Sequence, residues 1–415
     1  MKDKIIQHIH EPEVLEELYR KDKEEFTRSF NEIADNYDTQ LVQIWRIRLS
    51  YGKKAVSKDF HLSEFFLVIV MAIVTGLLIK IPDFVDTIKS DIFYSRNIAL
   101  IVSNGMILYM FYVNKIKNLW IWLSYALLIG GIATYANLLP PPGYNDSIAM
   151  IHVHIGLLLW VLFGLSFMAL DYKNLQRRME YIRFNGEFVI MGGLLLLAGG
   201  ILVGLSLGLF QAIGINLSKF YVHYVIVFGL AAIPVGTLYL IRIHPDLTNK
   251  IAPVIAKVFM PFVLVSLLMY LGSLLFSTNN LTEDRDALIM FNGMLLGVMA
   301  IIIFSISELD KEKSKDWNVM ALFVLAVLAL IADGIALYAI GIRLQQGLTP
   351  NRVVVVVSNA LILIHLIFIA KSLFQCYLQK KSPEIVDNAV ARFIPVYLVY
   401  AIFVIFLLPA FFGYH

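Results

Sequence analysis

Cysteine is nearly absent from this chain. Cys376 is the single thiol among 415 residues, which excludes an intramolecular disulfide and any cysteine-based metal cluster. Its place near the end of an apolar run assigns it to packing. Charge is also scarce: Asp, Glu, Lys and Arg make up 16% of the residues, and the net charge is +3. No basic field of the kind that holds nucleic acid follows from that balance. The chain has no GxxxxGK[ST] loop, no G-x-S-x-G elbow, no H-E-x-x-H pair and no GxGxxG after a strand. The commonest signatures of soluble enzymes are therefore missing, and no catalytic residue or cofactor is expected. No unit of roughly 20 to 50 residues repeats. A basic start followed by an apolar core is also missing, so no cleavable signal peptide is expected.

What the chain has in abundance is apolar surface, with 59% hydrophobic residues, more than a soluble core requires. Eleven apolar segments follow one another, over residues 62–81, 97–114, 119–139, 148–170, 188–210, 221–241, 259–277, 288–307, 317–345, 353–378 and 394–414. Each approaches the roughly 20 residues that a spanning helix needs. The pattern predicts an all-α polytopic integral membrane protein in lipid contact, with residues 1–60 as an N-terminal helical segment and 61–415 as the membrane domain. Lys and Arg near the spans set the orientation. With the N-terminus inside, 21 such residues fall inside, among them Arg46, Arg48, Lys53, Lys54 and Lys58, and seven fall outside. The N-terminus is accordingly expected in the cytoplasm and the C-terminus outside.

Residues 1–60 are rich in Glu, Lys and Arg. Pro12 suits a first helical position, and Val14, Leu15, Leu18 and Tyr19 follow at helical spacing, then Phe26, Phe30 and Ile33. Two or three short amphipathic helices are predicted. The last carries Leu41, Ile44, Trp45 and Leu49 beside basic residues, and would lie along an anionic leaflet or cap the loops of the membrane domain.

Within the membrane domain, residues 188–210 hold Gly192, Gly193, Gly199, Gly200, Gly204 and Gly208. Small residues permit close helix approach, so this helix is expected to be central and tightly packed, or else a gating helix. His152 and His154 follow an outer Pro140-Pro141-Pro142-Gly143 loop, and His223 falls near the same outer surface. These three are weak metal candidates, because two residues on a helix are about 200° apart around its axis. Asp171, Glu180 and Glu187 lie among Arg177, Arg178 and Arg183, as in a solvated inner loop.

The stretch from Trp317 to Leu378 carries the strongest functional signal, because ionisable groups at membrane depth are costly. Segment 317–345 is long enough that it must tilt, protrude or break, and Asp333-Gly334 is the natural place for a break. Gly347 can end one helix, and Thr349 with Pro350 can start the next. Counting about 1.5 Å per residue places Asp333 about 18 Å and His365 about 21 Å below the outer end, at matched depth on antiparallel neighbours. Asp333 and His365, with Asn359 and Tyr338, form a candidate intramembrane polar site. It would act as helix glue or as a proton relay. Arg343 and Arg352 are candidate anion contacts at the outer face.

The run Leu337-Tyr338-Ala339-Ile340-Gly341-Ile342-Arg343-Leu344-Gln345-Gln346-Gly347-Leu348-Thr349-Pro350-Asn351-Arg352 resembles the signature of the domain-of-unknown-function 4153 family of bacterial polytopic membrane proteins. In that family a tyrosine-bearing helix ends in an Arg-x-x-x-Gly-x-Thr-Pro-x-Arg turn. The leader from Pro12 to Tyr19, with Phe26, Phe30 and Trp45-Arg46, is also similar to that of members. The resemblance implies a bacterial inner-membrane location and many spans, and no activity. Two functions remain: a permease for a small solute or ion, and a non-transporting scaffold or sensor that signals through its N-terminal segment. A polar cavity at mid-depth would favour the first, and a solid bundle the second.

Overall fold

The structure is a computed structural model that describes residues 1–34, 37, 39–55, 62–141, 145–274, 285–309 and 317–413. Pro142, Gly143 and Lys58, on which parts of the expectations above rest, lie outside the described residues. The chain divides into two compact units, Met1–Phe65 and Phe66–His415.

The N-terminal unit contains four helices rather than two or three: α1 (Lys2–Gln7), α2 (Pro12–Lys21), α3 (Lys23–Ile33) and α4 (Gln40–Ala55). Pro12 opens α2, where a missing N–H costs nothing. Asp22 caps α3 by accepting a hydrogen bond from the Glu25 amide at 2.9 Å. The apolar faces close on one another. Ile5, Leu15, Phe26, Phe30, Val42 and Trp45 are buried together, and the Trp45 ring lies 5.0 Å from that of Phe26 and 5.4 Å from that of Tyr19. Arg48 sits 4.7 Å above the Trp45 ring and pairs with Glu16 at 2.7 Å. Trp45 and Leu49 are thus spent on the unit's own core, and among the described side chains of α4 Ile44 and Ile47 remain exposed apolar residues.

The membrane unit is built on eleven helices long and apolar enough to cross a bilayer, and no strand occurs among the described residues. In order they are α5 (Leu62–Ile79), α6 (Ser90–Val113), α7 (Leu119–Leu138), α8 (Asp146–Phe167), α9 (Leu175–Ala212), α10 (Ser218–Ile243), α11 (Pro245–Leu274), α12 (Arg285–Ser307), α13 (Trp317–Leu344), α14 (Pro350–Gln379) and α15 (Glu384–Phe412). The chain is thus an all-α, multi-pass integral membrane protein. Residues such as Leu127, Leu138 and Phe411 are 78% or more exposed, as lipid-facing side chains must be when the solvent is hydrocarbon.

The bundle is organised around α13 and α14, its most extensive helix pair. One face of α13 is a stripe of buried alanines, Ala326, Ala329, Ala332, Ala336 and Ala339, and small side chains let the partner backbone approach closely. The turn between them uses the predicted residues. Gly347 takes a positive φ of 119°, which costs other residues strain, and the Thr349 hydroxyl accepts from the Arg352 amide at 3.3 Å.

Two expectations about elements fail. The break at Asp333-Gly334 does not occur: α13 runs unbroken through both residues. A glycine costs a helix interior only about 1 kcal/mol, which the packing of the alanine stripe offsets. Nor is the glycine-rich helix central. Only 11% of the apolar window of α9 is buried, against 50% for α8 and α13. A side chain built at Gly193, Gly199, Gly200, Gly204 or Gly208 would meet no atom within 4 Å. With 38 residues, α9 is about 57 Å long, nearly twice a hydrocarbon core of roughly 30 Å.

Candidate functional site

The alanine stripe dictates where Asp333 goes. It lies on the same buried face of α13, is 0% exposed, and neither carboxylate oxygen has a hydrogen-bond partner. An unsatisfied buried polar group costs about 1–3 kcal/mol, and more when charged. His365 on α14 is 1% exposed. Its ring stacks on Phe393 at 4.1 Å between centroids, and its Nδ1 shares a hydrogen bond of 2.8 Å with the Tyr397 hydroxyl.

Asp333 and His365 are not joined to each other by any hydrogen bond or ion pair. The group common to both is Tyr397 on α15, whose hydroxyl bonds His365 and which lies within electrostatic reach of Asp333. His365 therefore takes its hydrogen-bond partner from a third helix and not from Asp333. Tyr397 is 32 positions from His365 and carried no signal of its own in the sequence.

The other hairpin candidates separate. Asn359 is buried and donates from Nδ2 to Asn292 Oδ1 on α12 at 2.7 Å. Tyr338 is 69% exposed and stands apart from the buried cluster. Arg343 and Arg352 do come together. With Asp146, Asn292, Thr349 and Asn351 they line a pocket of about 170 Å³, and Arg352 Nη1 is held by the Gly347 carbonyl at 2.7 Å. Asn292 thus borders this pocket and also contacts Asn359, one step deeper in the bundle.

A second and much larger space lies beyond His365. A cavity of about 1010 Å³ is bounded by α8, α9, α11, α12, α14 and α15, and His365 and Tyr397 form part of its wall. The rest is almost wholly aliphatic or aromatic, including Ile182, Ile190, Leu194, Ile255, Phe259 and Phe304. A cavity that reaches His365 is therefore present, but it is not the polar one that small-solute transport led one to expect.

The solvated inner loop is corrected in part: Asp171 and Glu180 are exposed as expected, and Glu187 is not. Residues 175–187 belong to α9, and Glu187 is only 8% exposed. It lies close to Glu308, at the end of α12, and to Arg183. Arg183 Nε donates to the Ser307 carbonyl at 3.0 Å and pairs with Glu308 Oε1 at 3.2 Å. Burial pushes the Glu308 carboxyl above the usual range, against the lowering pull of Arg183. The signal was available: Arg183 and Glu187 are four apart, one helical turn, and a span begun at 175 would have placed them on one face.

The three histidines take separate partners. His152 Nδ1 lies 2.8 Å from the Ile148 carbonyl. His154 Nδ1 meets the Met150 carbonyl at 2.8 Å, and its Nε2 meets the Tyr400 hydroxyl at 3.1 Å. His223 lies in a π-helical turn, Tyr221–Ile226, where its carbonyl, not its ring, accepts from Lys80 Nζ at 2.9 Å. Among the described residues no three His, Cys, Asp or Glu side chains group as a metal site.

No family model, no curated protein and no solved structure matches this chain.

Proposed function

We propose that this membrane protein is an ion-coupled permease of the bacterial inner membrane, with its N-terminus in the cytoplasm and a kinship to the domain-of-unknown-function 4153 proteins. The observation that carries the reading is Asp333, a fully buried carboxylate without a hydrogen bond, set beside a Tyr397–His365 pair that walls a large intramembrane cavity. A proton or a cation arriving at Asp333 would satisfy its oxygens, and Tyr397 and His365 would carry that change to the cavity. Intramembrane carboxylates facing a bundle interior commonly serve such coupling. The outer pocket of Arg343 and Arg352, followed inward by Asn292 and Asn359, supplies polar groups between the outer end and the site.

The test is charge movement. Proteoliposomes on a supported membrane, given a pH step, should show a transient current that Asp333→Asn abolishes. In parallel, Asp333→Asn should not lower thermal stability in detergent, because the carboxylate it removes has no partner to lose. Wild-type currents no larger than those of protein-free liposomes, or an unchanged current in the variant, would defeat the proposal.

A scaffold or sensor role has one observation in its favour, the separate core of the N-terminal unit. Under that reading the buried polar pairs are helix glue, and neither the wild-type protein nor Asp333→Asn gives a current.

A further inference from the structure

We infer that the solute of the large cavity is an amphiphile with a hydrocarbon chain, a lipid or lipid-like molecule that enters from the bilayer between α9 and α11. This inference names the substrate class of the permease reading and rests on that reading for transport, but its binding step stands on the cavity alone.

The lining decides the chemistry. Of 22 lining residues only Trp160, Asn185, His365 and Tyr397 carry a polar side-chain atom, and most of those atoms are already committed. Trp160 Nε1 donates to Asn185 Oδ1 at 2.8 Å, and Asn185 Nδ2 donates to the Tyr181 carbonyl at 2.6 Å. His365 Nδ1 and the Tyr397 hydroxyl share their own bond. A sugar, amino acid or hydrated ion entering this space would surrender its water and find few free partners, which makes its entry unfavourable. An alkyl chain surrenders nothing of that kind. The volume, about 1010 Å³, lies at the upper end of the roughly 300–1,000 Å³ typical of ligand sites.

The position of the cavity decides the source. Val189 and Leu197 of α9 and Phe259 of α11 line it, yet they are 71%, 67% and 54% exposed. These three residues belong at once to the cavity wall and to the outer, lipid-facing surface of the bundle. The sparse packing of α9 serves the same end. Gly193 lines the cavity, and a side chain built there would meet no atom within 4 Å. One turn before the wall residue Gly186 is Arg183, its side chain 39% exposed and bound to Glu308. This is the charged border nearest the cavity on α9, where the polar head of an amphiphile would stop.

The test uses the full-length protein in vesicles of phosphatidylethanolamine and phosphatidylglycerol, doped with a phosphatidylcholine that carries a diazirine in its acyl chain. After irradiation, labelled residues are mapped by mass spectrometry. The expected result is label on Ile182 and Ala256, which line the cavity and are buried, as well as on outward residues such as Leu127 and Leu138. Gly193→Phe, which sets a ring into the cavity beside its wall, should lower the label on the first pair and leave the second unchanged. Label confined to outward residues would overturn the inference, as would cavity label indifferent to Gly193→Phe. The two proposals fail separately. A pH-step current without cavity label leaves the permease and removes the amphiphile. Cavity label without a current leaves a lipid-binding site and removes the permease.

Discussion

Asp333 illustrates what a single position in a membrane helix does and does not reveal. Its depth follows from counting along α13, and so does that of His365 along α14, because a helix advances a fixed distance per residue. Their azimuths depend on how the helices rotate against their neighbours. That rotation gives His365 to Tyr397 and leaves Asp333 without a hydrogen bond. Glu187 and Glu308 were less legible still, since their proximity requires two spans distant in sequence to end at the same level. A prediction belongs to this pair. Burial holds the Glu308 carboxyl above its ordinary value of 4.5, so the folded state keeps a proton that the unfolded state has already released. Stability linked to this group is complete below the ordinary value and is lost as pH rises through the raised one. Glu308→Gln should flatten that decline, seen as a smaller fall in melting temperature as pH rises from the ordinary value in detergent. An identical decline in both proteins would show that Glu308 does not contribute.

Among the elements, glycine carries opposite meanings at Gly164 of α8 and Gly200 of α9. A side chain at Gly164 of α8 would stand 2.6 Å from the fully buried Tyr181 ring, whereas Gly200 of α9 faces open space. Gly164→Ala should therefore destabilise the protein by about 1–3 kcal/mol, the usual cost of overpacking. Gly200→Ala should be neutral or stabilise by up to about 1 kcal/mol, since alanine is the better helix former. Thermal melts of the two variants in one detergent test the contrast, and equal effects would contradict the packing described. Glycine content alone pointed to α9 as the packed helix. Composition reports that a close approach is permitted, and only a neighbour makes it happen. The hairpin turn behaved differently: Gly347, Thr349 and Pro350 act through their own backbone and nearest residues, so the sequence sufficed to place them.

At the scale of the molecule, eleven spans put the residues flanking the first and last helices on opposite faces, and the Lys and Arg distribution proposes which face is which. In a Cys376→Ala background, a thiol probe at Asn145 should be labelled from outside and one at Lys380, exposed after α14, only from inside. The reverse pattern would overturn the orientation. The number of spans, the helical nature of the N-terminal segment and the α13–α14 turn were all determined by the sequence itself. Each rests on chain-local physics: the length of an apolar run, the charge beside it, the caps at its ends. By contrast, α9, α11 and α15 begin 10 or more residues before their apolar runs, because helices continue past the apolar stretch that marks them. The tertiary structure alone decided that the N-terminal helices bury their aromatic faces in one another, that the glycine-rich stretch of α9 lies at the margin, that His365 takes Tyr397 rather than Asp333 as its partner, and that the cavity is apolar. These depend on which faces meet. In hydrocarbon nearly every face of a spanning helix is apolar, so the pattern that would mark the buried side in water is largely erased.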